Sequence, residues 1–141
     1  MTTSPILVSA CLIGVRCRFD GETKEDPRVL KLAGENQLVP ICPEQLAGLP
    51  TPRVRHEIVE GRVLSEHGKD NTEAFQRGAE EALKIARITG CRRAVLKARS
   101  PSCGKGEIYD GSFGGRLVKG NGVLAERLIE EGIAVATEDE I

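Results

Sequence analysis

Tryptophan is absent, and three Phe and one Tyr are the only aromatic residues in 141. Base-stacking platforms are therefore not expected. A net charge of −1 leaves no basic excess for a polyanion, so an extended nucleic-acid footprint is not expected either. No apolar run approaches the ~20 residues of a membrane span. Residues 1–12 are apolar but lack a basic leader and a clear cleavage site, so no signal peptide is expected. Histidine is scarce as well: His56 and His67 are the only two. Both lie in the expected hairpin region and read as surface residues, which argues against an imidazole-built metal site. What remains is a small-molecule protein, expected in a reducing cytoplasm; nothing in the chain specifies an oligomeric state.

Cysteine is the residue that needs explaining. Five are present, and an odd count does not suit a full disulfide framework. A chain of this length buries roughly 68–70% of its extended surface, so neither a disulfide nor a metal is needed merely to fold. Three of the five end an apolar run. Cys11 follows Ile6-Leu7-Val8-Ser9-Ala10, Cys42 closes Leu38-Val39-Pro40-Ile41, and Cys103 lies in Ser100-Pro101-Ser102-Cys103-Gly104, after Ala94-Val95-Leu96-Lys97-Ala98. If those strands are parallel neighbours, their carboxyl ends share one edge of a sheet, where open α/β sheets bind ligands. The three thiols would then meet.

The rest of the chain supports such a sheet. Strands are expected at 5–10, 37–42, 93–98 and 133–136, with helices between them. Asp26-Pro27 is a helix start. Asn71 or Thr72 can cap a long helix ending near Gly90, and a further helix runs over about 122–131 to Gly132. Residues 55–66 alternate around Glu60-Gly61 as a small hairpin. The proline-rich stretch from Pro43 to Arg53 reads as a fixed non-repetitive loop, and glycine-rich 105–122 as a loop or hairpin over the site. The fold class is α/β: a single Rossmann-like domain over 1–141, mainly parallel, with helices on both faces and a small hairpin.

Around the three thiols stand other candidates. No Cys-x-x-Cys pair occurs, so this is not zinc-ribbon spacing; an iron–sulfur cluster or zinc suits soft thiolates. Cys17, in the loop after the first strand, is either a fourth ligand that closes the site or a nearby reactive thiol. Cys91 reads as a small buried hydrophobe. Glu44 lies two residues past Cys42 and can act as general acid or base, against its ordinary reading as a surface carboxylate. Ser100 either hydrogen-bonds a substrate or caps its turn. Arg53 either holds a substrate's anionic or carbonyl group or forms a surface salt bridge. Arg92, Arg93, Lys97 and Arg99 read as solvated positions near strand ends, and Gly120-Asn121-Gly122 lacks the spacing of a phosphate loop.

Six motifs in order, Val8-Ser9-Ala10-Cys11-Leu12-Ile13-Gly14, Cys17-Arg18-Phe19-Asp20-Gly21, Cys42-Pro43-Glu44, Leu49-Pro50-Thr51-Pro52-Arg53, Ser100-Pro101-Ser102-Cys103-Gly104 and Ile108-Tyr109-Asp110-Gly111-Ser112-Phe113, resemble the DUF523 family, which includes the thiouracil desulfurases. The resemblance runs essentially from end to end. Departures are Phe19, where Tyr is common, and Ala47, where Gly is common. It implies a [4Fe-4S] cluster on Cys11, Cys42 and Cys103, oxygen-sensitive, with one iron free for the substrate's sulfur. It maps the catalytic carboxylate and serine onto Glu44 and Ser100 and leaves Cys17 without an assigned role.

The expected function is thus non-redox removal of sulfur from 2-thiouracil or a related thionated nucleobase, giving the oxo base and hydrosulfide. Two alternatives stand beside it: a non-enzymatic metal-binding or sensing module with a closed four-cysteine site, and a metal-free cysteine-based enzyme.

Overall fold

The computed structural model describes residues 4–141. Its centre is a four-stranded parallel sheet. Strand β1 (Ile6–Ser9) runs into a 3₁₀ turn (Ala10–Ile13), and a loop leads to helix α1 (Pro27–Leu32). Strand β2 (Leu38–Ile41) is followed at once by the one-turn helix α2 (Pro43–Leu46). The hairpin β3 (His56–Val59) and β4 (Arg62–Ser65) precedes the long helix α3 (Thr72–Thr89). Then come β5 (Arg93–Leu96), the second hairpin β6 (Glu107–Tyr109) and β7 (Leu117–Lys119), helix α4 (Val123–Glu130), β8 (Ala134–Thr137) and a closing 3₁₀ turn, Glu138–Glu140.

The sheet order is β2-β1-β5-β8, every pair parallel. Side chains alternate across a strand, and both faces are buried. Leu7, Ala94 and Leu96 face α3 and α4, where Ala82, Leu83, Leu124 and Leu128 meet them. Ile6, Val8 and Val95 face the other way, onto Leu12 and Val29. The fold is therefore α/β with helices on both faces, as the alternation of elements implies.

Two local readings need correction. The stretch after Cys42 is not wholly loop: Pro43 occupies the first position of α2, where its fixed φ suits a helix and its missing N–H costs nothing, and Leu46 N–H returns to the Cys42 carbonyl at 2.9 Å. The loop expected after the first strand opens instead as a 3₁₀ turn that holds Cys11, because Leu12 is buried against the core and Gly14, at φ 101°, ends the turn. At the start of α3, Asn71 is the cap residue but makes no capping bond with its side chain. Asp70 takes the Thr72 N–H instead, at 2.9 Å. The Asn71 amide is directed to His56 Nε2, 2.8 Å away.

Candidate functional site

The three strands that end in cysteine are adjacent in the sheet, so their carboxyl ends deliver Cys11, Cys42 and Cys103 to one cavity of about 320 Å³. Cys17, Glu44, Arg53 and Ser100 line the same cavity. Every site residue expected from the sequence is thus brought together. Cys91 is not among the lining residues; it is buried against Thr89 at the opposite end of β5.

The turn that carries Cys103 is held by α4. The first N–H groups of a helix lack intrahelical partners. Here the turn's carbonyls satisfy them: Val123 N–H reaches Pro101 O at 2.9 Å and Leu124 N–H reaches Ser102 O at 2.8 Å. This leaves no anion site at Gly120-Asn121-Gly122. It also requires glycine at 122, where a Cβ would stand 2.5 Å from the Ser102 carbonyl carbon. Within the turn, Ser100 Oγ accepts from Ser102 N–H (3.1 Å) and Cys103 N–H (3.0 Å).

That geometry orders a chain of hydroxyls. With both lone pairs of Ser100 Oγ occupied by amides, its O–H is left to donate, and Ser102 Oγ lies 3.0 Å away. Ser102 in turn donates to Glu44 Oε2 at 2.9 Å. Glu44 and Ser100 are linked only through Ser102, which is 2% exposed and 3.8 Å from the Cys103 sulfur. The other Glu44 oxygen accepts from Arg53 Nε at 2.8 Å. A guanidinium has five N–H donors, and the Arg53 set is fully engaged. Nη1 donates to Pro50 O and Thr51 Oγ, and Nη2 to Cys17 O and, at 3.9 Å, to Cys42 Sγ. Arg53 is 4% exposed in its side chain and has no donor left over for a substrate. Its part here is to hold Glu44.

The thiols lie close together, and Cys42 Sγ donates to the Cys17 carbonyl at 3.6 Å. The neighbouring Cys11 thiol raises Cys17 to about 11, and Cys17 together with burial raises Cys42 above its ordinary value. Burial pushes the Cys103 thiol up to about 12, against the pull of the Ser9 and Ser102 hydroxyls. Cys17, Cys42 and Cys103 are thus all shifted toward the protonated thiol. Lys97 and Arg99, read as solvated, also line the cavity, and Lys97 is paired with Glu138 at 3.1 Å. His56 is 6% exposed rather than at the surface. The hairpin folds over the cavity and packs the imidazole against Phe75, ring centroids 5.0 Å apart. Burial lowers its basicity, and the Glu44 carboxylate and Val54 carbonyl partly offset this.

The 2-thiouracil desulfurase family model matches residues 6–140. The chain belongs to the 2-thiouracil desulfurase family. This places it among enzymes. A solved structure of the [4Fe-4S]-dependent thiouracil desulfidase TudS superposes with a TM-score of 0.93 at 42% identity, over 99% of this chain and 93% of that one. YbbK of Bacillus subtilis, described as uncharacterized, is 38% identical over 146 residues, 96% of this chain and 97% of its own. No helix among the described residues of this family member is long and apolar enough to cross a membrane.

Two site residues of this desulfurase-family chain escape a reading of the sequence. Ser102 is one: only the turn geometry shows that it, and not Ser100, touches Glu44. Glu57, buried in the cavity wall, is the other. Its signal was faint, a carboxylate on the inward register of an alternating hairpin.

Proposed function

We propose that the protein is a non-redox desulfurase that converts 2-thiouracil or a related thionated nucleobase to the oxo base and hydrosulfide. A [4Fe-4S] cluster would be held by Cys11, Cys42 and Cys103. The carrying observation is the convergence of these thiols at the carboxyl edge of three neighbouring parallel strands, beside a carboxylate joined to two hydroxyls. The donor set suits the group. It is all sulfur, which favours iron–sulfur chemistry. Among the described residues no three His, Cys, Asp or Glu side chains are placed to hold a single metal ion. The relative TudS, similar over nearly its whole length, is described as [4Fe-4S]-dependent.

When bound, the cluster supplies a Lewis-acidic iron for a thiocarbonyl sulfur. The chain's own residues supply the rest. Glu44, fixed by Arg53 through Oε1, orients a water and takes its proton as general base. Glu44 then gives that proton to the departing sulfur, while the hydroxyl chain from Ser100 through Ser102 to Oε2 keeps the carboxylate in place. Atoms balance as C=S plus H₂O giving C=O plus H₂S, with no change of oxidation state. The small cavity accepts a free base rather than a polymer, and the protein would act in the reducing cytoplasm.

A closed four-thiol site is the second reading, favoured by Cys17 lining the same cavity as the other three, with the Cys42 thiol donating to the Cys17 carbonyl at 3.6 Å. Iron content after anaerobic reconstitution separates the two. Cys11→Ser, Cys42→Ser and Cys103→Ser are expected to lose the cluster's visible absorption and iron, while Cys17→Ser keeps both. Loss of iron in Cys17→Ser to the same extent as in the others would overturn the three-cysteine assignment.

A further inference from the structure

The cavity has a roof whose fastening has chemical content. Hairpin β3–β4 and the loop between β6 and β7 meet there, and Glu57 joins them. Its side chain is buried, the residue 6% exposed. Oε1 accepts from Gly111 N–H at 2.9 Å and Phe113 N–H at 3.0 Å. The loop lies close to β3: at Gly111, with φ 95°, a Cβ would stand 2.0 Å from Val59 Cγ2. Arg55 adds a second tie, its guanidinium 5.6 Å from the centre of the Phe113 ring.

The second oxygen is the informative one. Among the described residues Glu57 forms no ion pair, and Oε2 has no protein hydrogen-bond partner. It is not a sealed orphan, since among the described residues His56 Nδ1 is the one fully buried side-chain nitrogen or oxygen without a partner. Glu57 is among the residues that line the cavity, the space a ligand would fill. An ionised carboxylate is an acceptor only. A buried one with spare lone pairs needs a donor. A carbonyl or a ring nitrogen without hydrogen cannot serve; a ring N–H can. In a cyclic thioamide such an N–H sits next to the C=S group.

We propose that Glu57 determines specificity: Oε1 pins the roof at Gly111 and Phe113, and Oε2 accepts the ligand's ring N–H adjacent to the thiocarbonyl. The identity of the ligand rests on the desulfurase reading; the roof fastening does not. The site selects cyclic thioamides with an unsubstituted N–H over their N-alkylated counterparts.

Glu57→Gln separates the two roles. The glutamine carbonyl can still accept from both amides, while its NH₂ turns a donor toward the ring N–H. The probe is uracil, which carries the same N–H groups and is not consumed. Calorimetry on reconstituted protein is expected to show uracil binding weakened roughly 10- to 100-fold in Glu57→Gln, the range for losing a hydrogen bond to a charged group. Hydrogen exchange in cluster-free protein is expected to leave Gly111 and Phe113 protected in Glu57→Gln and to lose that protection in Glu57→Ala. Unchanged uracil affinity in Glu57→Gln would overturn the recognition role, and unchanged protection in Glu57→Ala would overturn the fastening. A wild-type protein that binds uracil with this Glu57 dependence yet releases no sulfur from 2-thiouracil would refute the desulfurase reading and leave this one standing.

Discussion

Gly78, midway along α3, sets helix propensity against packing. On propensity alone Gly78→Ala stabilises a helix by about 0.8–1.0 kcal/mol. The neighbours decide otherwise. A Cβ at 78 would lie 2.1 Å from the Pro43 carbonyl oxygen and 3.1 Å from Ala47 Cβ. Ordinary contact begins at 3.4 Å, so the two helices must part by 3.4 − 2.1 = 1.3 Å. The obstruction is backbone of α2, which cannot rotate aside. Overpacking costs about 1–3 kcal/mol, and rigid backbone belongs at the upper end. The net is then a loss of about 2 kcal/mol. Because α2 follows Cys42 directly and contains Glu44, the same displacement moves a proposed ligand and the proposed base. Urea unfolding of cluster-free Gly78→Ala should show the loss, and reconstitution should bind less iron. A variant that is as stable as wild type and fills with iron would refute the steric argument.

Three further outcomes follow from the same geometry. Gly122→Ala places a Cβ 2.6 Å from the Ser102 carbonyl oxygen and should separate α4 from the Cys103 turn; a melting temperature and iron content equal to wild type would contradict this. Arg53→Ala removes one partner of a buried pair and should cost about 3–5 kcal/mol in urea unfolding, an unaltered midpoint being the contrary result. Burial holds His56 below its ordinary 6.5, so the unfolded chain binds the proton more readily, and this contribution to stability is present above pH 6.5 and lost as pH falls through it. Unfolding compared at about pH 7.5 and about pH 5.5 should therefore show a smaller acid loss in His56→Gln than in wild type; an equal loss would remove His56 from the account.

What could be read from the sequence was whatever depends on local pattern. Apolar runs, Asp26-Pro27 and Gly90 mark strands and helix ends because their physics is confined to a few residues. The meeting of Cys11, Cys42 and Cys103 was legible because parallel topology carries strand ends to one edge. The roles of Ser102, Arg53 and Glu57 were not. Each depends on which way one side chain points across 9 to 58 positions of chain. His56 was misread for a related reason: a polar residue in a short hairpin is surface unless something packs over it, and Phe75 of α3 does.

The central claim is hydrolytic removal of sulfur without electron transfer. Its most direct test is anaerobic turnover of 2-thiouracil by the reconstituted protein with no reductant or oxidant added, measuring uracil and sulfide in the same sample. The account predicts both products in equal amounts, over many cycles, and their loss in Glu44→Ala with the cluster's spectrum retained. A protein that holds its cluster but forms neither product, or that needs an electron donor to do so, would contradict it.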